Sequence, residues 1–387
     1  MVSVYIHIPF CLKRCFYCDF TSFSKINKTI IDKYINALCF EISKKPPNPL
    51  KGEYKNKIKS IYFGGGTPSL LSISQLKIIL SELKKNFNIL SNCEITLEIN
   101  PATVSIYKLK KFRKLGINRL SLGLQSFDNK LLKKSGRLHN ITDNFNVIHQ
   151  ASLAAFKNVS IDLIYGLPNQ SLEIWKRDLQ IVCELVSKDL IKHVSIYALS
   201  IHEDTVFGKK YINSCHKALP TEKEICDMYN MACEMLNAYN FEHYEISNFA
   251  KKGYESVHNL TYWNMEEFYG FGLSSHEYRD FMRKANTSNL QEYLENPLSY
   301  EILESNTIFD EFMLKLRLAK GLNILEFTER HNLKNTMSFE SLEKYIKEDL
   351  LLFKKNTLKL TEKGFLVSNS LINELYSMIG KGSSAKL

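Results

Sequence analysis

Three cysteines stand close together near the start of the chain, in His7-Ile8-Pro9-Phe10-Cys11-Leu12-Lys13-Arg14-Cys15-Phe16-Tyr17-Cys18, at C-x3-C-x2-C spacing. Three thiolates on one tight loop suit a metal centre. A closed structural zinc site wants a fourth nearby Cys or His, usually with a second C-x2-C pair later in the chain. A cubane iron–sulfur cluster has four irons, so three cysteines leave one iron open to a further ligand. Spacing alone shows a three-thiolate site and leaves zinc, or three unligated thiols, as alternatives.

Other groups able to do chemistry follow at intervals. In Gly64-Gly65-Gly66-Thr67-Pro68, consecutive glycines let backbone carbonyls come close to a ligand and admit positive φ; by itself the run is also an ordinary tight turn. Glu98 and Asp162 offer carboxylates, Gln125 an amide, and Arg137 a guanidinium that can clamp a carboxylate with two parallel hydrogen bonds. Taken singly, each is more often a surface or packing residue.

Positioning these groups falls to a regular alternation in the first half of the chain. Strand patterns cover 4–8, 60–63, 94–99, 119–124, 159–165 and 193–199, and helical patterns cover 30–42, 74–85, 104–115, 143–155 and 172–186. Such alternation predicts right-handed βαβ units and a parallel sheet, and six units fit a partial (β/α)6 barrel over residues 1–205. The cysteine loop follows the first strand and the glycines the second. Glu98, Gln125 and Asp162 belong to the third, fourth and fifth, and Arg137 comes shortly after Gln125. The C-terminal ends of barrel strands converge on one pocket, which raises the weight of the set as a whole.

The rhythm breaks after residue 205. A helix over 221–239, a short strand over 244–246 and a Gly- and Ser-rich stretch over 269–278 make residues 206–300 a linker and ligand-binding segment. Residues 301–387 read as a smaller α+β, winged-helix-like domain: helices over 310–318, 324–330 and 339–348, a hairpin of 350–353 with 358–360, and a last helix before a polar tail at 380–387. Lacking a basic recognition helix, this module is expected to serve packing rather than DNA. The net charge of +10 rests mainly on scattered Lys with little Arg, so a solvated surface is expected and a nucleic-acid partner is not. No stretch approaches the roughly 20 apolar residues of a membrane helix. The N-terminus lacks the pattern of a signal peptide, so the expected location is the cytoplasm. Nine cysteines, an odd number, argue against a disulfide framework. Cys39, Cys93, Cys183, Cys215, Cys226 and Cys233 are expected to be small buried or half-buried side chains.

The cysteine motif, with an aromatic before its third Cys and placed just after the first strand of a (β/α) unit, resembles that of the radical S-adenosylmethionine (SAM) superfamily. The resemblance implies a [4Fe–4S] cluster on Cys11, Cys15 and Cys18, with SAM's amino and carboxylate groups on the open iron. Reduction of the cluster would then cleave the sulfonium to a 5′-deoxyadenosyl radical. It also implies a SAM site that draws on Tyr5, Tyr17, Gly64, Gly65, Gly66, Thr67, Glu98, Gln125, Arg137 and Asp162. In it the glycine-rich carbonyls accept from the ammonium, Glu98 accepts from the ribose hydroxyls and Arg137 clamps the carboxylate.

Nearly the whole chain is similar to the coproporphyrinogen oxidase-like group, through residues 5–18, 64–69, 98–101, 116–128, 162–168 and 244–248. That group holds the oxygen-independent coproporphyrinogen III dehydrogenase and the HemW-type haem chaperone. Three features lean to the chaperone. The dehydrogenase has a further Cys two residues after the third, where this chain has Phe20. The dehydrogenase's N-terminal extension is expected to be missing. His258-Asn259-Leu260-Thr261-Tyr262-Trp263 matches the H-N-x-x-Y-W motif associated with haem binding. An imidazole ligates haem iron, and Tyr and Trp offer flat surfaces to a macrocycle. His258 is therefore the expected ligand, with Tyr262 a second ligand or a stacking group. The implied role is to bind haem and carry it to an unidentified acceptor protein, membrane-associated or respiratory. The alternative is oxidative decarboxylation of coproporphyrinogen III. One departure stands out: in Gly270-Phe271-Gly272-Leu273-Ser274-Ser275-His276, Ser274 and Ser275 replace the Gly and Ala of the group's G-x-G-x-G-A-H block.

Overall fold

The computed structural model describes residues 1–46, 56–212, 218–305, 307–334 and 337–379. Cys215 and the tail at 380–387 lie outside the described residues. Strand β1 (Val2–Ile8) leads through two short strands, β2 (Phe10–Cys11) and β3 (Phe23–Ser24), into α1 (Lys28–Lys44). Then follow β4 (Lys57–Gly65), α2 (Ile73–Asn86), β5 (Asn88–Ile99), α3 (Ile106–Leu115), β6 (Arg119–Gln125), α4 (Asn129–Lys134), α5 (Ile141–Leu153), β7 (Asn158–Tyr165), α6 (Leu172–Ser187) and β8 (His193–Ala198). The helices begin where the sequence supplies side-chain acceptors: Ser72 and Asn140 form capping boxes with Gln75 and Asp143, while Ser105 and Ser171 cap α3 and α6.

Strands β1, β4, β5, β6, β7 and β8 pair in that order, all parallel, as the alternation predicts. Their side chains divide by parity. Val4, Ile6, Ile61, Phe63, Leu97, Leu120, Leu122 and Ile161 are buried in the continuous hydrophobic core. The intervening positions are polar: Tyr5 stands beside Tyr62, Glu98 beside Ser121, and Asp162 between Gly123 and Ser195. Side chains of period two point to opposite faces. One face of the sheet therefore packs on helices while the other presents a polar interior.

The stretch after β8 extends this same sheet at both ends. It comprises α7 (Val206–Tyr211), α8 (Glu222–Ala238), β9 (Glu242–Glu245), β10 (Asn248–Ala250), α9 (Val257–Trp263), β11 (Phe268–Phe271), β12 (His276–Arg279), β13 (Met282–Asn286), α10 (Leu290–Glu295) and β14 (Tyr300–Leu303). β10 lies antiparallel to β8, β11 lies parallel to β1, and β12, β13 and β14 follow antiparallel, giving a sheet of twelve strands. The Gly- and Ser-rich stretch at 269–278 is thus most of a hairpin. A Cβ on Gly270 would lie 1.9 Å from the His276 carbonyl oxygen, and Gly272 turns the chain at φ +98°. These glycines serve a close strand-to-strand approach rather than an irregular loop.

The remainder comprises α11 (Thr307–Leu316), β15 (Leu322–Asn323), α12 (Ile324–Arg330), α13 (Phe339–Lys347), β16 (Leu351–Lys354), β17 (Thr357–Leu360), α14 (Glu362–Leu366) and α15 (Ser368–Ser377). The short strands form a three-stranded sheet in the order β15-β17-β16. Phe312, Phe327, Leu342, Leu358 and Leu371 belong to the same core as the barrel strands. Among the described residues, no helix is long and apolar enough to cross a membrane.

Candidate functional site

The cysteine loop leaves β1 and is tied down along its length. Phe10 and Cys11 pair with Phe23 and Ser24, and the Phe23 amide donates to the Pro9 carbonyl at 2.7 Å. The Phe16 amide donates to the Ser135 carbonyl at 3.0 Å, and its own carbonyl accepts from the Phe207 amide at 2.8 Å. Cys11, Cys15 and Cys18 are free thiols of intermediate burial. Each of the first two accepts a hydrogen bond: Thr67 Oγ1 donates to Cys11 Sγ at 3.5 Å and Arg137 Nη1 to Cys15 Sγ at 3.4 Å. Burial, and then the neighbouring Cys15 and Cys11, push the Cys18 thiol up to about 11. Among the described residues, the three-ligand group gathered tightly enough for a single ion is Cys233, His243 and Glu362, with ligand atoms within 4.8 Å of one another, and not the three motif thiols.

A cavity of about 450 Å³ lies beside the loop. It is lined by Cys11, Cys15, Tyr17 and Cys18 and, from successive strand ends, by Gly65, Gly66, Thr67, Glu98, Gln125, Arg137 and Asp162. Eleven of the thirteen residues expected at the cluster and SAM site meet here, all but Gly64 and Tyr5. Gly64 instead leaves room for its neighbours, since a Cβ there would come within 3.0–3.1 Å of Tyr5, Tyr62 and Glu98. Gly65, at φ +110°, sits against the His7 ring, and a Cβ on Gly66 would press on the Phe10 carbonyl at 2.8 Å. The glycines are thus required first by packing against β1 and the cysteine loop.

The polar residues of the cavity are held by partners the sequence reading missed. Glu98 accepts from the Tyr62 hydroxyl at 2.9 Å and from the Gly65 amide at 3.2 Å, and burial pushes its pKa to about 8. Asp162 accepts from Ser121 Oγ at 3.2 Å, and burial raises its pKa as well. Arg137 Nη2 donates to the Gly123 carbonyl at 2.5 Å, while its Nε is buried without a partner. Gln125 ends β6 at φ +70°, and Asp178 fixes the turn beyond it by accepting from Ser126 Oγ at 2.7 Å and the Phe127 amide at 2.9 Å. Tyr62 and Tyr197 share the inward parity of Glu98 and Asp162, which is the sequence signal that could have found them. At the rim, His202 Nε2 approaches the Asp19 carboxylate to 3.2 Å.

A second cavity, of about 790 Å³, adjoins the first, and Asp19 and Phe20 line both. Tyr5 is found here rather than beside the cysteines, together with His7, Tyr262, Phe268, Ser274 and His276. Its hydroxyl lies 3.1 Å from His7 Nδ1. Ser274 occupies a left-handed conformation, φ +54°, where Gly would be unstrained, and its hydroxyl donates to Thr21 Oγ1 at 3.0 Å. Ser275 turns inward and donates to the Gly272 carbonyl at 2.7 Å.

His258 lines neither cavity. Its side chain is 1% exposed, on the short helix α9, with Nδ1 2.9 Å from Ser60 Oγ and Nε2 2.7 Å from the Tyr262 hydroxyl. The ring stacks on Tyr62 with centroids 5.0 Å apart. Burial lowers its pKa to about 3, so the imidazole is neutral. α9 is fixed by Glu94, which accepts from the Val257 and His258 amides at 3.3 and 3.1 Å. Both imidazole nitrogens are therefore engaged inside the protein, and Tyr262 is the member of the motif that reaches a cavity.

Residues 5–181 match the profile of the radical SAM superfamily, and residues 304–367 match the HemN C-terminal domain. The chain is 34% identical over 379 residues to the haem chaperone HemW of Lactococcus lactis, covering 96% of each protein. It is 31% identical over 381 residues to the HemW of Escherichia coli, covering 96% of this chain and 97% of that one. Among solved structures, the coproporphyrinogen III oxidase HemN of Escherichia coli, a radical SAM enzyme, superposes with a TM-score of 0.79 at 22% identity, over 96% of this chain and 89% of that one.

Proposed function

Because the chain belongs to the HemW family of haem chaperones, within the radical SAM superfamily, we propose that it binds haem and passes it to an acceptor protein, holding a [4Fe–4S] cluster and an exchangeable SAM beside the haem. The observation that carries this reading is the pair of adjoining cavities that share Asp19 and Phe20. One collects the three thiols and the polar strand ends, and the other is larger, with aromatic walls. Its volume of about 790 Å³ falls in the ~300–1,000 Å³ range of small-molecule and cofactor sites.

The residues present fit the cofactors the superfamily implies. Three half-buried thiols would hold three irons of the cluster. The unpartnered Arg137 Nε is a buried donor that an anionic group would satisfy, and SAM's carboxylate is such a group. Tyr17, Gly65, Gly66, Thr67, Glu98, Gln125 and Asp162 complete that site. At neutral pH Glu98 is mostly protonated, so toward a ribose it can donate one hydrogen bond as well as accept. When bound, the cluster supplies an electron and an open coordination position for SAM.

Haem is placed in the second cavity, against Tyr262, Phe268 and Phe20. His258 acts through Tyr262, whose hydroxyl it fixes, and would meet haem iron directly only after leaving both Ser60 and Tyr262. Tyr5 belongs to this haem side of the site. The place of action is the cytoplasm, and the acceptor is a membrane-associated or respiratory protein.

The second reading is coproporphyrinogen III decarboxylation. Against it stands Phe20, 62% exposed at the mouth of both cavities, whose phenyl ring has neither a thiol nor an acid to offer. The anaerobically reconstituted protein, given SAM, a reductant and coproporphyrinogen III, is expected to yield no vinyl product by mass spectrometry. Multiple turnovers to the divinyl product would replace the chaperone reading with the enzymatic one.

A further inference from the structure

We propose that Cys233, His243 and Glu362 form a zinc site that fastens α14 to α8 and β9, separate from the cavities described above. Cys233 lies on α8, His243 on β9, and Glu362 opens α14, so three elements each supply one donor. The ligand atoms lie within 4.8 Å of one another, and His243 Nδ1 is 3.9 Å from Glu362 Oε1. Donors about 2.0–2.3 Å from a tetrahedral zinc stand about 3.3–3.7 Å apart, so the set has to close by little more than about 1 Å. The Glu362 side chain, 43% exposed, has the freedom to make that movement.

Each donor is prepared for the role. His243 Nε2 donates to the Ile246 carbonyl at 3.4 Å, which places the ring proton there and leaves the Nδ1 lone pair on the side of Glu362. A ligating imidazole typically gives its other N–H to such an acceptor. Its ring stacks on Phe249 with centroids 4.1 Å apart and meets Phe365 of α14 edge-on at 5.2 Å. Asn237 Nδ2 donates to Glu362 Oε1 at 3.0 Å, which orients the carboxylate. Tyr229 stands one turn before Cys233 on α8, and its ring meets His243 edge-on at 6.0 Å. The Tyr229 hydroxyl is buried with no hydrogen-bond partner, and a metal-bound thiolate at Cys233 would be an acceptor beside it. A plain core thiol accounts for the burial of Cys233, but not for an imidazole lone pair and a carboxylate gathered around it.

The donor set selects the ion. Thiolate and imidazole suit zinc and are poor ligands for magnesium or calcium. One thiolate and one carboxylate also cancel the charge of a divalent ion, which a largely buried centre requires. The fourth position falls to water. None of the three residues lines either cavity, so the ion serves as a fastener between the HemN C-terminal domain and the barrel rather than as a reaction centre. Binding that needs all three elements in place stabilises the folded chain.

The cluster-loaded full chain, dialysed anaerobically against zinc, tests the proposal by elemental analysis and zinc K-edge X-ray absorption. Wild type is expected to retain one zinc per chain, with one sulfur at about 2.3 Å and the other ligands N or O at about 2.0–2.1 Å. Cys233→Ala and Glu362→Gln are each expected to bind zinc at least tenfold more weakly, with the iron and sulfide content unchanged. Zinc should raise the thermal midpoint of wild type and leave that of Glu362→Gln unmoved. Should Cys233→Ala fail to fold, Glu362→Gln, at a half-exposed position, decides alone. A wild type that retains no zinc would overturn the assignment. So would a zinc bound by three sulfurs, which would mark the motif thiols, or zinc retained equally by wild type and Glu362→Gln.

Discussion

Burial makes Glu98 a different acid from a surface glutamate. Its pKa of about 8, against an ordinary 4.5, means that the folded protein keeps a proton which the unfolded chain has already released at neutral pH. The stability linked to that proton is fully present below pH 4.5 and is lost as pH rises through about 8. Asp162, Asp178 and Glu245 are raised in the same direction, so the contribution of Glu98 has to be isolated by subtraction. We expect wild type to lose stability relative to Glu98→Gln between pH 5 and pH 9 in denaturant titrations. A difference independent of pH would contradict the placement of this carboxyl. The residue scale is also where sequence reasoning about the glycines was incomplete. Gly64, Gly65 and Gly66 were legible as a special turn, but what demands them is contact with Tyr5, His7 and Phe10, residues far from them in the chain.

Among the elements, α9 depends on a partner that no local pattern reveals. Glu94 holds its first two amides and stands 4.0 Å from the buried guanidinium of Arg119. A carboxylate at a helix N-terminus is favourable, and removing one partner of a buried charge pair is costly. Glu94→Ala is therefore expected to cost about 3 kcal/mol in urea unfolding, with a smaller loss for Glu94→Gln. A loss below about 1 kcal/mol would show that α9 is held by something else. The βα units were readable because their strands and helices carry strong local periods. β11 to β14 were not, because each is only four or five residues long and β11 carries a glycine. β11 joins the sheet through β1, with Val4 beside Tyr269, a pairing that only tertiary contact defines.

For the whole molecule, convergence at strand ends was the most informative sequence inference, and it placed Glu98, Gln125, Arg137 and Asp162 around one cavity with the cysteines. The second cavity was not legible, since β1, the Asp19–Thr21 stretch, α9 and the 268–301 region all contribute to it from distant parts of the chain. The same distance bears on His258: the motif resemblance implies a haem ligand there, and the fold carries α9 inward until the imidazole meets Ser60. The central claim is that one chain sets a haem site beside a cluster and SAM site. It is tested most directly by titrating the anaerobically reconstituted wild-type protein with haem and measuring the stoichiometry by absorbance. Saturation at about one haem per chain, with the cluster's iron and sulfide retained, is the predicted result. Haem uptake that never saturates, or that occurs only as the cluster is lost, would contradict it.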